Sequence, residues 1–262
     1  MSAVTGLPTR SKEASTSVPM TTLVGVELRK MVDTRAGRWL LIGVAAVTVL
    51  VLGIALATGD AGTRSFTNLF SLAQLPLSIL IPVLGVLAAT SEWSQRTVLT
   101  TFALVPSRSR IVSAKVLAAM SLALLTVVFA LVVAAAAAAV APIFGAVDSD
   151  WSLPIGDLLQ VVVYQQLNML LGVALGTLLL NSALAIVLYF VLPTIWSGLT
   201  DSISALADAQ RWLDTSTTWM RLVDPDVAMT GTHWAQAGAT ALLWIAVPLA
   251  IGVTRILRRE VD

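Results

Sequence analysis

Few residues in this 262-residue chain have the types and spacing that chemistry needs. The sequence holds no Gly-x-x-x-x-Gly-Lys-Ser/Thr loop, whose backbone amides would cradle phosphates, so the chain is not expected to bind and hydrolyse ATP by that route. It has no cysteine, which removes disulfides, thiolate nucleophiles and thiolate metal ligands. The one histidine, His233, stands beside Trp234 without a second imidazole nearby and reads as an interfacial residue, not a ligand. No nucleophile elbow and no pair of aspartates inside an apolar run offers acyl transfer or intramembrane proteolysis. What remains is a group of amides, Gln165, Gln166 and Asn168, inside one apolar block, and a carboxylate, Glu92, at the end of another. The amides are candidate lining for a polar path, and serve equally as glue between helices at about 1 kcal/mol per bond. Glu92 stands where a charge reaches water, which suits a structural or coupling role better than a proton relay.

The elements that must position these residues are dictated by composition. Hydrophobic residues make up 57% of the chain and charged residues 12%, about half the charged share of an ordinary soluble domain. They gather in six blocks, roughly 39–58, 69–89, 116–141, 158–180, 183–198 and 234–253, none of which contains Lys, Arg, Asp or Glu. About 20 apolar residues cross a hydrocarbon core of about 30 Å. Five blocks reach that length, and the fifth is short, ending near Pro193 and Gly198. Continuous runs such as Ala134 to Val140 do not alternate as barrel strands must. The fold class expected is therefore all-α, a polytopic membrane protein of about six transmembrane helices. Residues 1–20 read as a disordered tail and 21–262 as a single transmembrane domain. Ala55-Leu56-Ala57 mimics a signal-peptide cleavage site, but the apolar run before it is longer than the 7–15 residues of a signal peptide.

Every Lys and Arg except Arg64, Arg211 and Arg221 falls on one side of a six-span arrangement, which by the positive-inside rule is the cytoplasmic one. Both termini are then expected in the cytoplasm. Because the basic residues flank the spans and do not form a patch, nucleic acid is not an expected partner. Before the first span, Val24, Leu28, Met31 and Val32 recur at helical spacing, with Glu27, Arg29, Lys30 and Arg35 in the same stretch, which predicts an amphipathic helix in the membrane interface. A juxtamembrane stretch that merely obeys the charge rule is the equal alternative. In the second connection Val98, Phe102 and Val105 are helically spaced before Pro106, predicting a short cytoplasmic helix; Arg108, Arg110 and Lys115 then restart a helix that becomes the third span. The fifth connection, about 199–233, has Ile203, Leu206, Ala209 and Leu213 at helical spacing behind Asp201 or Ser202. It reads as one or two short helices dipping into the outer leaflet, with Trp212 and Trp219 at headgroup level, or else as a plain surface loop. Pro76, Pro82, Pro193 and Pro248 are expected to disturb their helices. Gly172-Val-Ala-Leu-Gly176 permits close helix contact and is a weak candidate for a dimer seam.

The Glu27-Leu-Arg-Lys30 helix, the run Ser91-Glu92-Trp93-Ser94-Gln95-Arg96-Thr97, and Pro106-Ser-Arg108-Ser-Arg110 followed by Lys115 resemble the permease subunit of type-2 ATP-binding-cassette exporters of actinobacterial style. The resemblance runs from about Thr21 to Arg259 in number and order of segments, and its specific part is Ser91 to Lys115. It implies a coupling helix over Glu92 to Thr101 that docks into a separate cytoplasmic ATPase subunit, with Glu92, Trp93, Ser94, Gln95, Arg96, Thr97, Arg108 and Arg110 as coupling residues. It further implies a second permease chain, most simply a homodimer, in a bacterial cell membrane, and export by alternating access. ATP and Mg would bind the partner subunit; this chain would bind no cofactor and catalyse no reaction itself. Two other classes compete. A non-transporting membrane scaffold or assembly factor fits an uncharged bundle, though it has no use for a coupling helix. A secondary transporter is disfavoured by spans without ionisable residues and by two halves without a visible repeat.

Overall fold

A computed structural model describes residues 18–95, 97, 107–145, 151–224 and 227–258. Its described residues form helices and connections, without a strand. Six helices are long and apolar enough to cross a membrane: α2 (Arg35–Thr58), α3 (Phe66–Ser94), α4 (Arg108–Val140), α5 (Ile155–Leu179), α6 (Ser182–Ser202) and α9 (Gly231–Arg258). α1 (Met20–Asp33) precedes them, and α7 (Ala207–Leu213) and α8 (Thr215–Trp219) lie between α6 and α9. Each of the six apolar blocks thus lies within one helix, apart from two terminal residues, Ala141 and Leu180. The fifth, expected to stop near Gly198, runs on through Pro193 to Ser202.

Local chemistry sets the helix ends. Thr34 breaks the chain between α1 and α2, and its Oγ1 accepts from the Gly37 amide at 3.1 Å. Asn181 caps α6 by accepting from the Leu184 amide at 3.0 Å, directly after Leu180 closes α5 in the left-handed conformation, φ 53°. Thr230 and His233 cap α9 reciprocally, each side chain accepting from the other's amide, so the lone histidine serves a helix start.

α3 is the hub. It packs on α2, α4, α5 and α6, and 67% of its apolar stretch is buried, against 17% for α6. Its contact with α5 is close because glycines remove the side chains between the backbones. A Cβ on Gly172 would lie 2.3 Å from the Pro82 carbonyl oxygen, and one on Gly176 2.9 Å from that of Val86. The small-residue pair expected as a seam with another chain is therefore spent inside this one.

α3 remains helical through Pro76 and Pro82. A proline at 82 has no N–H for the Ser78 carbonyl four residues earlier. The buried Tyr189 hydroxyl of α6 fills that vacancy, sharing its proton between the Ser78 oxygen at 3.2 Å and Asn168 Oδ1 of α5 at 3.1 Å. Tyr189→Phe is expected to lower stability by about 1–3 kcal/mol, the cost of stranding a buried acceptor. Adding Pro82→Ala, which restores the missing N–H, should recover part of that loss in thermal unfolding of the purified chain. α9 handles Pro248 differently, with a π turn over Leu242–Ala246 just before it.

Cross-contacts sort the helix ends into two sets. At one end Arg108 donates to the Ile256 carbonyl at 3.0 Å, Arg255 to that of Leu178 at 2.9 Å, and Thr90 pairs with Ser182 at 2.6 Å. This end carries Arg29, Lys30, Arg35, Arg38, Arg110, Lys115 and Arg258 as well, and is called the basic end below. At the other, Arg64 donates to the Leu56 carbonyl at 2.9 Å and to that of Phe144, while α7 and α8 pack on α9. The two ends match the two sides drawn from the charges.

The fifth connection is built, not loose. Asp214 is buried, accepts from the Thr217 amide at 2.8 Å to cap α8, and receives the Ser197 hydroxyl at 2.5 Å. Thr218 reaches Thr240 at 3.0 Å and the Trp244 indole reaches the Leu213 carbonyl at 2.7 Å. Trp219, expected at headgroup level, is instead a fully buried core residue beside Tyr164 and Tyr189, donating to the Ala237 carbonyl at 3.3 Å; Trp212 stays exposed.

Candidate functional site: a charge knot beside the second connection

Four charged side chains from three helices meet at the basic end. On α1, Val24, Glu27, Leu28 and Met31 share one inward face at spacings of three and four. Glu27 is thus carried into the bundle by its apolar neighbours. α3 delivers Glu92 in its last turn and α4 delivers Lys115 in its third, while Lys30 lies one turn beyond Glu27.

The geometry is a closed square. Lys30 Nζ is 2.7 Å from Glu27 Oε1 and 2.8 Å from Glu92 Oε1. Lys115 Nζ is 2.7 Å from Glu27 Oε2 and 3.3 Å from Glu92 Oε2. Lys115 also donates to the Ala88 carbonyl at 3.3 Å, so its three protons have three acceptors. Glu27 and Glu92 are buried and the Lys115 side chain is 12% exposed, whereas Lys30 is 41% exposed at the rim. Two anions and two cations cancel, which is what lets charge persist in a low-dielectric place.

At Lys30, burial works against the ammonium, but hydrogen bonds and charge from Glu27 and Glu92 outweigh it and hold its pKa above the usual lysine value. The sign follows: its stabilisation is complete below the unfolded lysine pKa of about 10.4 and is lost as pH rises through the higher folded value. The thermal-stability difference between wild type and Lys30→Met should accordingly hold constant through neutral pH and shrink only above about pH 10.

The other coupling candidates surround this knot unevenly. Ser94 bonds to the Thr90 carbonyl at 3.1 Å and meets Ser182 at 3.2 Å. Trp93 is half-buried; Gln95 and Thr97 are exposed, and their amides donate to the Ser91 and Glu92 carbonyls at 2.9 Å each. Arg108 ties the start of α4 to the end of α9, and Arg110 donates to the Val18 carbonyl. Arg29 is exposed, with Asp33 3.9 Å away. Arg96 and residues 98–106, where the short helix is expected, lie outside the described residues.

The amide group does not form one lining. Gln166 reaches across to the Met120 carbonyl of α4 at 3.0 Å, and Asn168 donates to the Tyr164 carbonyl at 2.9 Å while receiving Tyr189. Gln165 is buried, and its Nε2, like Gln74 Oε1 and Gln166 Oε1, has no hydrogen-bond partner among the described residues. Gln166 and Asn168 thus act as glue, and Asn168 alone of the three also faces a cavity.

Sequence reasoning singled out Glu92, Glu27, Lys30 and Lys115 separately and did not join them. The available signal was an acidic residue in the middle of an apolar helical face. Among the described residues no group of three or more acidic, histidine or cysteine side chains is placed to hold a metal. Set against known proteins, the chain matches no family model and no curated protein.

Proposed function

We propose that this chain is the membrane-spanning permease subunit of an ATP-driven exporter in a bacterial cell membrane, with its basic end and both termini in the cytoplasm. The observation that carries the reading is the charge knot, which fastens α1 to both flanks of the second connection, the end of α3 and the start of α4. A push delivered between Gln95 and Arg108 is then passed to three helices at once, one of them the hub of the bundle. That is the mechanical requirement of a subunit driven by a separate ATPase: a stiff lever at one end and helices that rock as bodies. The excess of basic residues at that end supports its assignment to the cytoplasm. A second copy of the chain would complete the path, and ATP with Mg would bind the partner ATPase.

In this reading Glu92 is a positioning residue within the lever, since it is buried and occupied by two lysines. Docking belongs to exposed positions such as Gln95, and to Arg96. The test is co-purification from native membrane in mild detergent, comparing wild type with Gln95→Glu, Arg96→Glu. Recovery of an ATPase subunit with the wild type, and its loss from a variant with unchanged thermal unfolding, is the expected result. A wild-type chain that retains no ATPase favours the scaffold.

A further inference from the structure

We infer that the cavity lined by α3, α5, α6 and α8, in the half of the bundle away from the basic end, holds the hydroxyl end of an uncharged lipid alcohol. The cavity has a volume of about 210 Å³. Pockets that hold a whole small molecule run from about 300 to 1,000 Å³. This one is sized for one end of a ligand, with the rest lying outside it.

Its walls specify what that end must be. Among the described residues none that lines the cavity is acidic, basic or histidine. An ionised ligand would lose its water without gaining a counter-charge, at a cost of several kcal/mol. The walls are not apolar either. Tyr164 is more than nine-tenths buried; Ser78 and Asn168 lie within hydrogen-bond reach of its hydroxyl, which donates to the thioether of Met220 at 3.6 Å, a weak acceptor that a ligand oxygen would readily replace. Tyr189 is as deeply buried; its proton is committed to Ser78 and Asn168, which leaves its phenolic oxygen free to accept. One donor and one acceptor, both phenolic, match a hydroxyl, which does both.

The mouth specifies the remainder. Ile79, Phe190 and Met220 line the cavity and stand 50%, 40% and 46% exposed on the apolar flank of the bundle. A hydrocarbon tail emerging there lies on apolar side chains. Ser216, also exposed, sits at the same mouth on α8. An aliphatic chain ending in a hydroxyl satisfies both the walls and the mouth.

The inference rests on the export reading for its purpose, a lipid alcohol as cargo, but binding is read without the ATPase. The full chain in phosphatidylcholine nanodiscs is irradiated with a long-chain alcohol bearing a diazirine near its hydroxyl. Parallel samples receive the carboxylate and trimethylammonium counterparts of equal length, and labelled peptides are mapped by mass spectrometry. Labelling of α5, α6 and residues 215–220 by the alcohol is expected to exceed that by either charged probe roughly tenfold. Ser216→Trp, which plugs the mouth without touching the core, should abolish the excess, and Tyr164→Phe should cut it by about fivefold for the lost hydrogen bond. Equal labelling by all three probes, or labelling undiminished in Ser216→Trp, overturns the inference. Retained ATPase with no specific labelling removes the pocket and leaves the exporter, whereas specific labelling without ATPase leaves a lipid site on a scaffold.

Discussion

Replacing Lys115 with methionine removes about 3–5 kcal/mol of stability, the usual cost of breaking a buried ion pair from one side. The loss arises less from the missing bonds than from what they leave behind: Glu27 and Glu92, both buried, face each other with only the rim residue Lys30 between them. A methionine at 115 fills a similar volume, so packing contributes little to the difference. The measurement is thermal unfolding of the detergent-solubilised chain followed by tryptophan fluorescence. Two companions make it decisive. Lys30→Met, at a site 41% exposed, should cost far less because water takes over its role. Lys115→Met combined with Glu27→Gln should recover much of the single loss, since the remaining Lys30–Glu92 pair is again neutral. If Lys30→Met proves as damaging as Lys115→Met, the four residues do not act as one buried unit.

How much of this was legible in the sequence follows from the range of the forces involved. Six apolar runs free of charge must become helices in a hydrocarbon medium, where each backbone amide needs a partner within its own segment. All six are present. The apolar blocks mark the membrane-crossing stretch and not the whole helix: α4 starts at Arg108, where the basic residues were expected to restart a helix, eight residues before the apolar block opens at Val116, because a helix continues past the apolar stretch wherever caps and interfacial charges satisfy it. Pro193 suggested an early stop for α6, yet a proline removes one donor and not the helix. The partners of the charge knot were illegible for another reason. Glu27 and Glu92 meet across 65 positions of sequence, and periodicity on one helix carries no information about which helix comes to face it. The same gap explains Trp219, whose type suits a membrane surface but whose burial is decided by the cap at Asp214 and the groove that α8 enters.

Gly172→Ala carries the other large expected effect, and its sign is informative because most glycine-to-alanine changes in helices go the other way. At Gly53, in the middle of α2, an added Cβ meets nothing within 4 Å, so alanine there should be neutral or stabilising by up to about 1 kcal/mol through lost unfolded-state freedom. At Gly172 the same methyl would sit 2.3 Å from the Pro82 carbonyl oxygen and 3.0 Å from its carbon. Backbone cannot swing aside as a side-chain end can, so α5 must retreat from α3 along the line that also holds Gly85, Gly176 and the Asn168–Tyr189–Ser78 bonds. The expected cost is about 1–3 kcal/mol for the methyl, rising further with valine. Because the displaced helices frame the Tyr164–Tyr189 cavity, alcohol-probe labelling should fall together with melting temperature in Gly172→Ala and stay unchanged in Gly53→Ala. A Gly172→Ala chain as stable as wild type would mean that α3 and α5 are not held at backbone contact, and the proton shared by Tyr189 would then have to be explained without Pro82.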